Sequence, residues 1–223
     1  MKSNYIKGII FILLSTFFLA LMDGLSRHLA QNYNVFVINM IRAWFFALVV
    51  IALSLRKKSG LQNVLSTSQP LLQITRGLLL ITAICSGVYS FTKLGLVVTH
   101  SLMACYPLIV VALSGPILNE KVSSSKWIAV LIGFLGVLII MNPFEINVDI
   151  NSLIPFVTAI SFSLYTILTR KASLRDNAEI SFFWACVVSG AVMSILGPFY
   201  YEPILLTDWS LLFLLCFAGI IGH

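Results

Sequence analysis

Polar and charged residues occur along this chain in short clusters, and the stretches between them are apolar runs of roughly helix-spanning length. About 20 apolar residues cross a bilayer core as a helix. A run of that length in hydrocarbon satisfies its backbone groups only by helical hydrogen bonding or in a closed barrel. The ten-residue alternation of a transmembrane barrel is missing here. The pattern therefore predicts eight spans: Ile6–His28, Val35–Leu55, Leu71–Phe91, Leu96–Leu118, Lys126–Met141, Ser152–Thr169, Glu179–Tyr200 and an eighth beginning at Trp209. Lys2 and Lys7 ahead of GIIFILLSTFFLA resemble a signal peptide. With no small-x-small cleavage site leading into a soluble domain, this segment reads as a first transmembrane helix.

Composition sharpens the class. Of 223 residues, 59% are hydrophobic and 10% charged, and the mean hydropathy is +1.00. A soluble domain carries roughly 25% charged residues, so a large soluble enzyme domain is excluded. The expected fold is an all-α integral membrane protein. The net charge of +6 comes from 14 Lys and Arg against 8 Asp and Glu. These bases lie singly or in short clusters between apolar runs, unlike the clustered face of a nucleic-acid binder. With the N-terminus in the cytoplasm, the inside segments hold Lys2, Lys7, Arg56, Lys57, Lys58, Lys121, Lys126, Arg170, Lys171 and Arg175, ten of the fourteen. That asymmetry predicts an N-in topology. Cys85, Cys105, Cys186 and Cys216 all fall inside apolar runs without CxxC spacing, as small packing side chains do.

An internal repeat is expected as well. ALMDGLSRHLA at 20–30 aligns without gaps to SLYTILTRKAS at 163–173, matching Leu21 with Leu164, Leu25 with Leu168 and Arg27 with Arg170 at an offset of 143. Five spans per repeat is an odd number, so the second copy would enter the membrane inverted, a recurring plan of secondary transporters. The expected domains are a first repeat over 6–143 and a second over 152–223. A second copy of equal length would close near position 286, about 63 residues past His223. The expectation is thus a truncated ten-helix plan with about eight helices present.

Tyr106-Pro107-Leu108-Ile109-Val110, running on to Leu118-Asn119-Glu120-Lys121, resembles the fourth-helix signature of the EamA-type drug/metabolite transporters. Asn119 stands where that signature usually has glycine. Trp127 and the run Gly133 to Leu138 are similar to the family's fifth helix, and Met22-Asp23 with Arg27 and Arg42 to a variant of its first two. The resemblance implies ten helices in two inverted repeats and transport of small metabolites across the bacterial inner membrane.

Charged groups inside spans are functional candidates because burying them in lipid costs a few kcal/mol or more. Asp23 and Arg27 sit four apart on one helix, where an ion pair can form. Arg42 lies about 10 Å deep in span two at 1.5 Å per residue. Lys93 and His100 bracket the junction of spans three and four. If these groups face a common cavity, it favours an anionic or zwitterionic substrate, and Asp23 or His100 could relay protons. Tyr106 and Tyr165 offer polar tips to such a pathway. Pro107 lacks a backbone donor and is the expected hinge of span four. The competing readings are headgroup snorkelling for Arg27, Lys93 and Arg76, and plain helix packing for His100 and the tyrosines. Gly190 and Ser194 form a small-xxx-small step on span seven.

No P-loop, histidine-rich motif or nucleophile turn occurs, so neither ATP drive nor an enzyme is expected. The expected function is secondary-active transport by alternating access, and the alternative is a non-transporting remnant or accessory membrane protein. The partners expected are a small-molecule substrate and the bilayer, with proton coupling and a homodimer as open options. No cofactor, metal or nucleic acid is expected.

Overall fold

The computed structural model describes residues 2–56, 60–118, 123–141 and 150–222. Their ordered elements are all helical: α1 (Lys2–Asn32), α2 (Val35–Leu55), the short α3 (Gly60–Leu65), α4 (Pro70–Met103), α5 (Tyr106–Leu118), α6 (Ser124–Met141), α7 (Ile154–Ala172), α8 (Ala178–Leu196) and α9 (Leu206–Gly222). Single 3-10 turns precede α7 and follow α8. Five helical segments are long and apolar enough to cross a membrane, so this is an integral membrane protein. Two helix starts carry their own caps: Asn34 accepts from the Phe36 amide at 3.0 Å and Asn177 from the Ile180 amide at 2.9 Å.

Spans one, two, five, six and seven follow the hydropathy runs closely, and α9 begins at Leu206, slightly before the expected Trp209. The third and fourth differ. Gly95, at φ 80° and ψ 167°, is non-helical and is the whole connection between them, so two helices meet at a kink within Pro70–Met103. The expected fourth span is then interrupted at Ala104 and Cys105 before α5 resumes. Pro107 sits in the first turn of α5, where a missing N–H costs no intrahelical bond. The expected turn at Asn119, Glu120 and Lys121, the Asn142-Pro143 ending, Lys57, Lys58, Glu145, Asp149 and His223 lie outside the described residues.

The backbone conformation at Gly95 is essentially confined to glycine, and holding another residue there costs about 1–3 kcal/mol. A Cβ at this position would also meet the Arg27 guanidinium at 3.7 Å. Gly95→Ala is expected to lower the thermal midpoint of the detergent-purified protein by several degrees, for a destabilisation of about 1–3 kcal/mol. An unchanged midpoint would show that the connection can be remade by any residue.

Three helix pairs organise the interior: α4 packs on α7, α2 on α8, and α1 on α9. Leu29, Ile38, Phe46, Ala47, Leu212 and Leu215 form the main buried cluster among α1, α2, α8 and α9. Trp44 of α2 donates its indole N–H to Ser194 at 2.6 Å and lies 3.4 Å from the space beside Gly190, so that small-residue step seats an α2 ring. On the other side, α1 exposes Phe11, Ile12, Leu13 and Phe17, and α6 exposes Ile128, Leu131, Ile132 and Ile139. Those faces suit lipid tails. The C-terminal ends of α2 and α7 and the α7–α8 connection, with Arg56, Arg170, Lys171 and Arg175, lie on one side of the bundle, here termed the basic face.

Candidate functional site: a cavity around Arg42

Arg42 lies in the middle of α2 and is 6% exposed. It lines a cavity of about 300 Å³ enclosed by α2, α4, α7 and α8. Asn39, Ala43 and Phe46 share its side of the wall; Phe162 and Tyr165 come from α7, and Phe182, Ala185, Cys186 and Ser189 from α8. The helical 3.6-residue period puts Asn39, Arg42, Ala43 and Phe46 on one stripe of α2. Among the described residues Arg42 has no ion-pair or hydrogen-bond partner, although Asp23 lies within electrostatic range. A guanidinium with five donors therefore faces a space walled mostly by aliphatic and aromatic side chains, with Asn39, Tyr165 and Ser189 as its other polar residues.

A second hollow of about 640 Å³ opens on the side opposite the basic face, lined by the α1–α2 turn, by Cys85, Ser86, Tyr89, Thr92 and Lys93 of α4, and by Ile154 and Val157 of α7. Lys93 holds its ammonium 5.6 Å from the Tyr89 ring centroid there. Only a thin partition divides the two spaces. The Asn39 amide, on the inner wall, donates to the Cys85 sulfur, on the outer wall, at 3.6 Å.

Asp23 and Arg27 do not pair. The Asp23 carboxylate instead meets His100 Nε2 at 3.3 Å, and the imidazole also lies against Phe91 at 5.2 Å between centroids. The kink at Gly95 turns the second part of α4 back along α1, which brings His100 to Asp23. Arg27 points toward Gly95, and its Nε is buried without a partner among the described residues. Tyr106 packs edge-on against Phe162 at 5.3 Å and does not line the cavity. Of the seven candidate pathway residues, then, the cavity unites Arg42 and Tyr165, the outer hollow takes Lys93, and Asp23 with His100 form a separate pair.

Arg76 departs from its snorkelling reading. It is 1% exposed, donates from Nε to Thr169 at 3.0 Å and from Nη1 to Gln73, and lies 5.2 Å from the Tyr165 ring centroid. Gln73 donates in turn to Asp176 at 2.7 Å, and Thr67 donates to the same carboxylate at 2.5 Å. Burial pushes the Asp176 carboxyl up, but the bonds from Thr67, Gln73 and Ser68 outweigh it and hold the group below the ordinary carboxylate range. It is therefore ionised at neutral pH. Gln73 and Asp176 escaped the sequence reading, although a glutamine three residues before an arginine in an apolar helix is a polar pair on one face.

The EamA-like transporter family matches residues 6–142. The chain belongs to the EamA-like transporter family. Its relatives include the S-adenosylmethionine uptake transporter of Rickettsia prowazekii (strain Madrid E), 25% identical over 97% of this chain and 72% of that protein. The riboflavin transporter of Vibrio cholerae is 23% identical over 79% of this chain and 59% of its own length. The pseudopaline exporter CntI of Pseudomonas aeruginosa (strain UCBPP-PA14) is 20% identical over 97% and 76% respectively. Transmembrane movement of a small metabolite is what these EamA-like relatives share, and an accessory role is not favoured. Their substrates differ, so family membership leaves the cargo to be argued from the cavity.

Proposed function

We propose that the chain is a secondary-active transporter of a small anionic or zwitterionic metabolite, with the Arg42 cavity as its binding site. The observation that carries this reading is a buried, unpaired guanidinium facing a mostly apolar cavity. An uncompensated charge away from water is costly, and a carboxylate or phosphate arriving from solution supplies the missing partner with paired, charge-assisted hydrogen bonds. The rings of Phe46, Phe162, Tyr165 and Phe182 offer apolar contact to the rest of such a molecule. The volume lies at the small end of ligand cavities. Recognition by bonding and shape, without covalent chemistry, is the work of a carrier and not of an enzyme.

Alternating access between two inverted halves is the proposed cycle, and two packing facts support it. Under the offset of 143, Asn39 corresponds to Phe182, Arg42 to Ala185, Ala43 to Cys186 and Phe46 to Ser189, and all eight line the cavity. The α4–α7 and α1–α9 contacts also exchange under the same correspondence, with α2 against α8 at the centre. A substrate site at the interface of inverted repeats follows that plan. The basic face is proposed to be cytoplasmic in a bacterial inner membrane, in keeping with the charge rule. The Asp23–His100 pair, an acid and an imidazole in contact within the membrane, is the proposed proton-coupling element.

Purified protein in liposomes tests this reading, with labelled S-adenosylmethionine, whose amino-acid end carries a carboxylate, as the first substrate and a pH gradient as the driving force. Asp23→Asn is expected to retain substrate exchange while losing at least tenfold of the gradient-driven accumulation. Equal loss of exchange and accumulation would overturn Asp23 as the coupling residue.

A further inference from the structure

Helices α4 and α7 lie against each other along their length, but their two ends differ. At the end opposite the basic face, they line the hollow of about 640 Å³ that reaches the Asn39–Cys85 partition. At the basic face they are joined by a chain of buried polar groups. Asp176, 5% exposed in the α7–α8 connection, accepts from Thr67 at 2.5 Å, from Gln73 at 2.7 Å and from the Ser68 amide at 3.3 Å. Gln73 is fully buried and accepts from Arg76. Arg76 then bonds Thr169 on α7 and lies over the Tyr165 ring, whose residue lines the Arg42 cavity.

We propose that Asp176, Gln73 and Arg76 form a latch that closes the basic-face end of the pathway, and that Tyr165 ties the latch to the occupancy of the cavity. The chemistry suits a reversible closure. An ionised carboxylate and a guanidinium joined through a neutral amide are mutually satisfied without direct pairing, and a partly satisfied network of this kind loses its advantage as a unit. When α4 and α7 separate at this end, each polar group moves toward water and regains hydration, so opening leaves no buried charge stranded. Arg76 acts here as a positioning residue. It holds one side of Tyr165 while the cavity meets the residue from within, and a ligand that shifts the ring loosens Arg76 from its place over it.

The latch rests on the proposed transport pathway, and its test needs no substrate. In the full chain, the four cysteines are replaced by serine and Ser189→Cys places one thiol in the cavity wall. A small charged methanethiosulfonate reagent is then applied to each side of the membrane in right-side-out and inverted vesicles. With the latch intact, labelling from the basic face is expected to be slow. Gln73→Leu or Asp176→Asn is expected to raise the rate from that side at least fivefold and to leave the opposite side within twofold. Thr67→Val removes a single donor to Asp176 and is expected to shift labelling in the same direction by a smaller factor, which covers loss of folding in the stronger variants. Unchanged labelling from the basic face in a folded Gln73→Leu or Thr67→Val protein would overturn the latch. Should Arg42→Ala retain uptake while these rates rise, the binding-site reading would fail and the latch would stand.

Discussion

Arg42→Ala is expected to reduce uptake in liposomes at least thirtyfold while leaving the protein folded. Losing one partner of a buried charge-assisted pair costs about 2–5 kcal/mol, and each 1.36 kcal/mol is tenfold. The lower bound alone gives roughly a thirtyfold effect. Stability should move the other way or stay still. Arg42 has no partner within the described fold, so its removal strands no second charge and relieves a desolvation cost. A merely structural arginine would behave oppositely, with a lower thermal midpoint and a proportionate fall in active protein. Arg42→Lys keeps the charge but not the planar fork of donors, and an intermediate rate is expected. Uptake by the alanine variant within threefold of the parent, measured per folded molecule, would remove Arg42 from the binding site.

The same residue shows what a single chain makes legible. Lipid forces long helices, so the runs at Val35–Leu55 and Glu179–Tyr200 revealed their elements directly. Arg42 stood out because charge in such a run is rare. Its neighbours did not, because Phe46, Phe162 and Phe182 are chemically ordinary among the 16 phenylalanines of an apolar chain. Which of them face a cavity depends on how four helices cross, and no local pattern carries that.

The errors have the same origin. Asp23 had a partner four residues along its own helix, but the kink at Gly95 supplied His100 from another. Hydropathy sees a fourth span from Leu96 to Leu118 as one run, whereas the backbone breaks it at Ala104 and Cys105. For Arg76, snorkelling and a pathway role were equally open, because Thr169, its partner on α7, lies 93 positions away. The separation of Gln73 and Asp176 is 103 residues. Long-range polar satisfaction is a property of packing, and periodicity along one helix does not report it.

Packing also sets the second large effect, at Gly77 of α4. A Cβ placed there would lie 2.5 Å from Val188 Cβ and 2.6 Å from its Cγ1 on α8. Both helices line the cavity, through Leu80 and Ile81 on one and Ala185 and Ser189 on the other. Side-chain rotation does not move a Cβ, so any larger residue at 77 must push the helix axes apart. Small residues at such crossings are what allow the backbones to approach. Gly77→Leu is expected to destabilise the protein by about 3 kcal/mol, the upper end for an overpacked contact. The measurements are the thermal midpoint in detergent and the fraction that elutes as a monodisperse species. Gly77→Ala should show a smaller loss in the same direction. Combined with Val188→Gly it should recover part of the midpoint, because the isopropyl group that the new methyl meets is then gone, while the helical glycine itself costs about 1 kcal/mol. Recovery by that exchange would assign the loss to the α4–α8 approach itself. Failure of the exchange, with both single variants destabilised, would instead show that the conflict lies elsewhere around residue 77. The transport readout separates the two consequences further: a widened gap is expected to raise KM for the Arg42 ligand in the Gly77→Ala protein that remains folded, since the cavity wall moves with the helices.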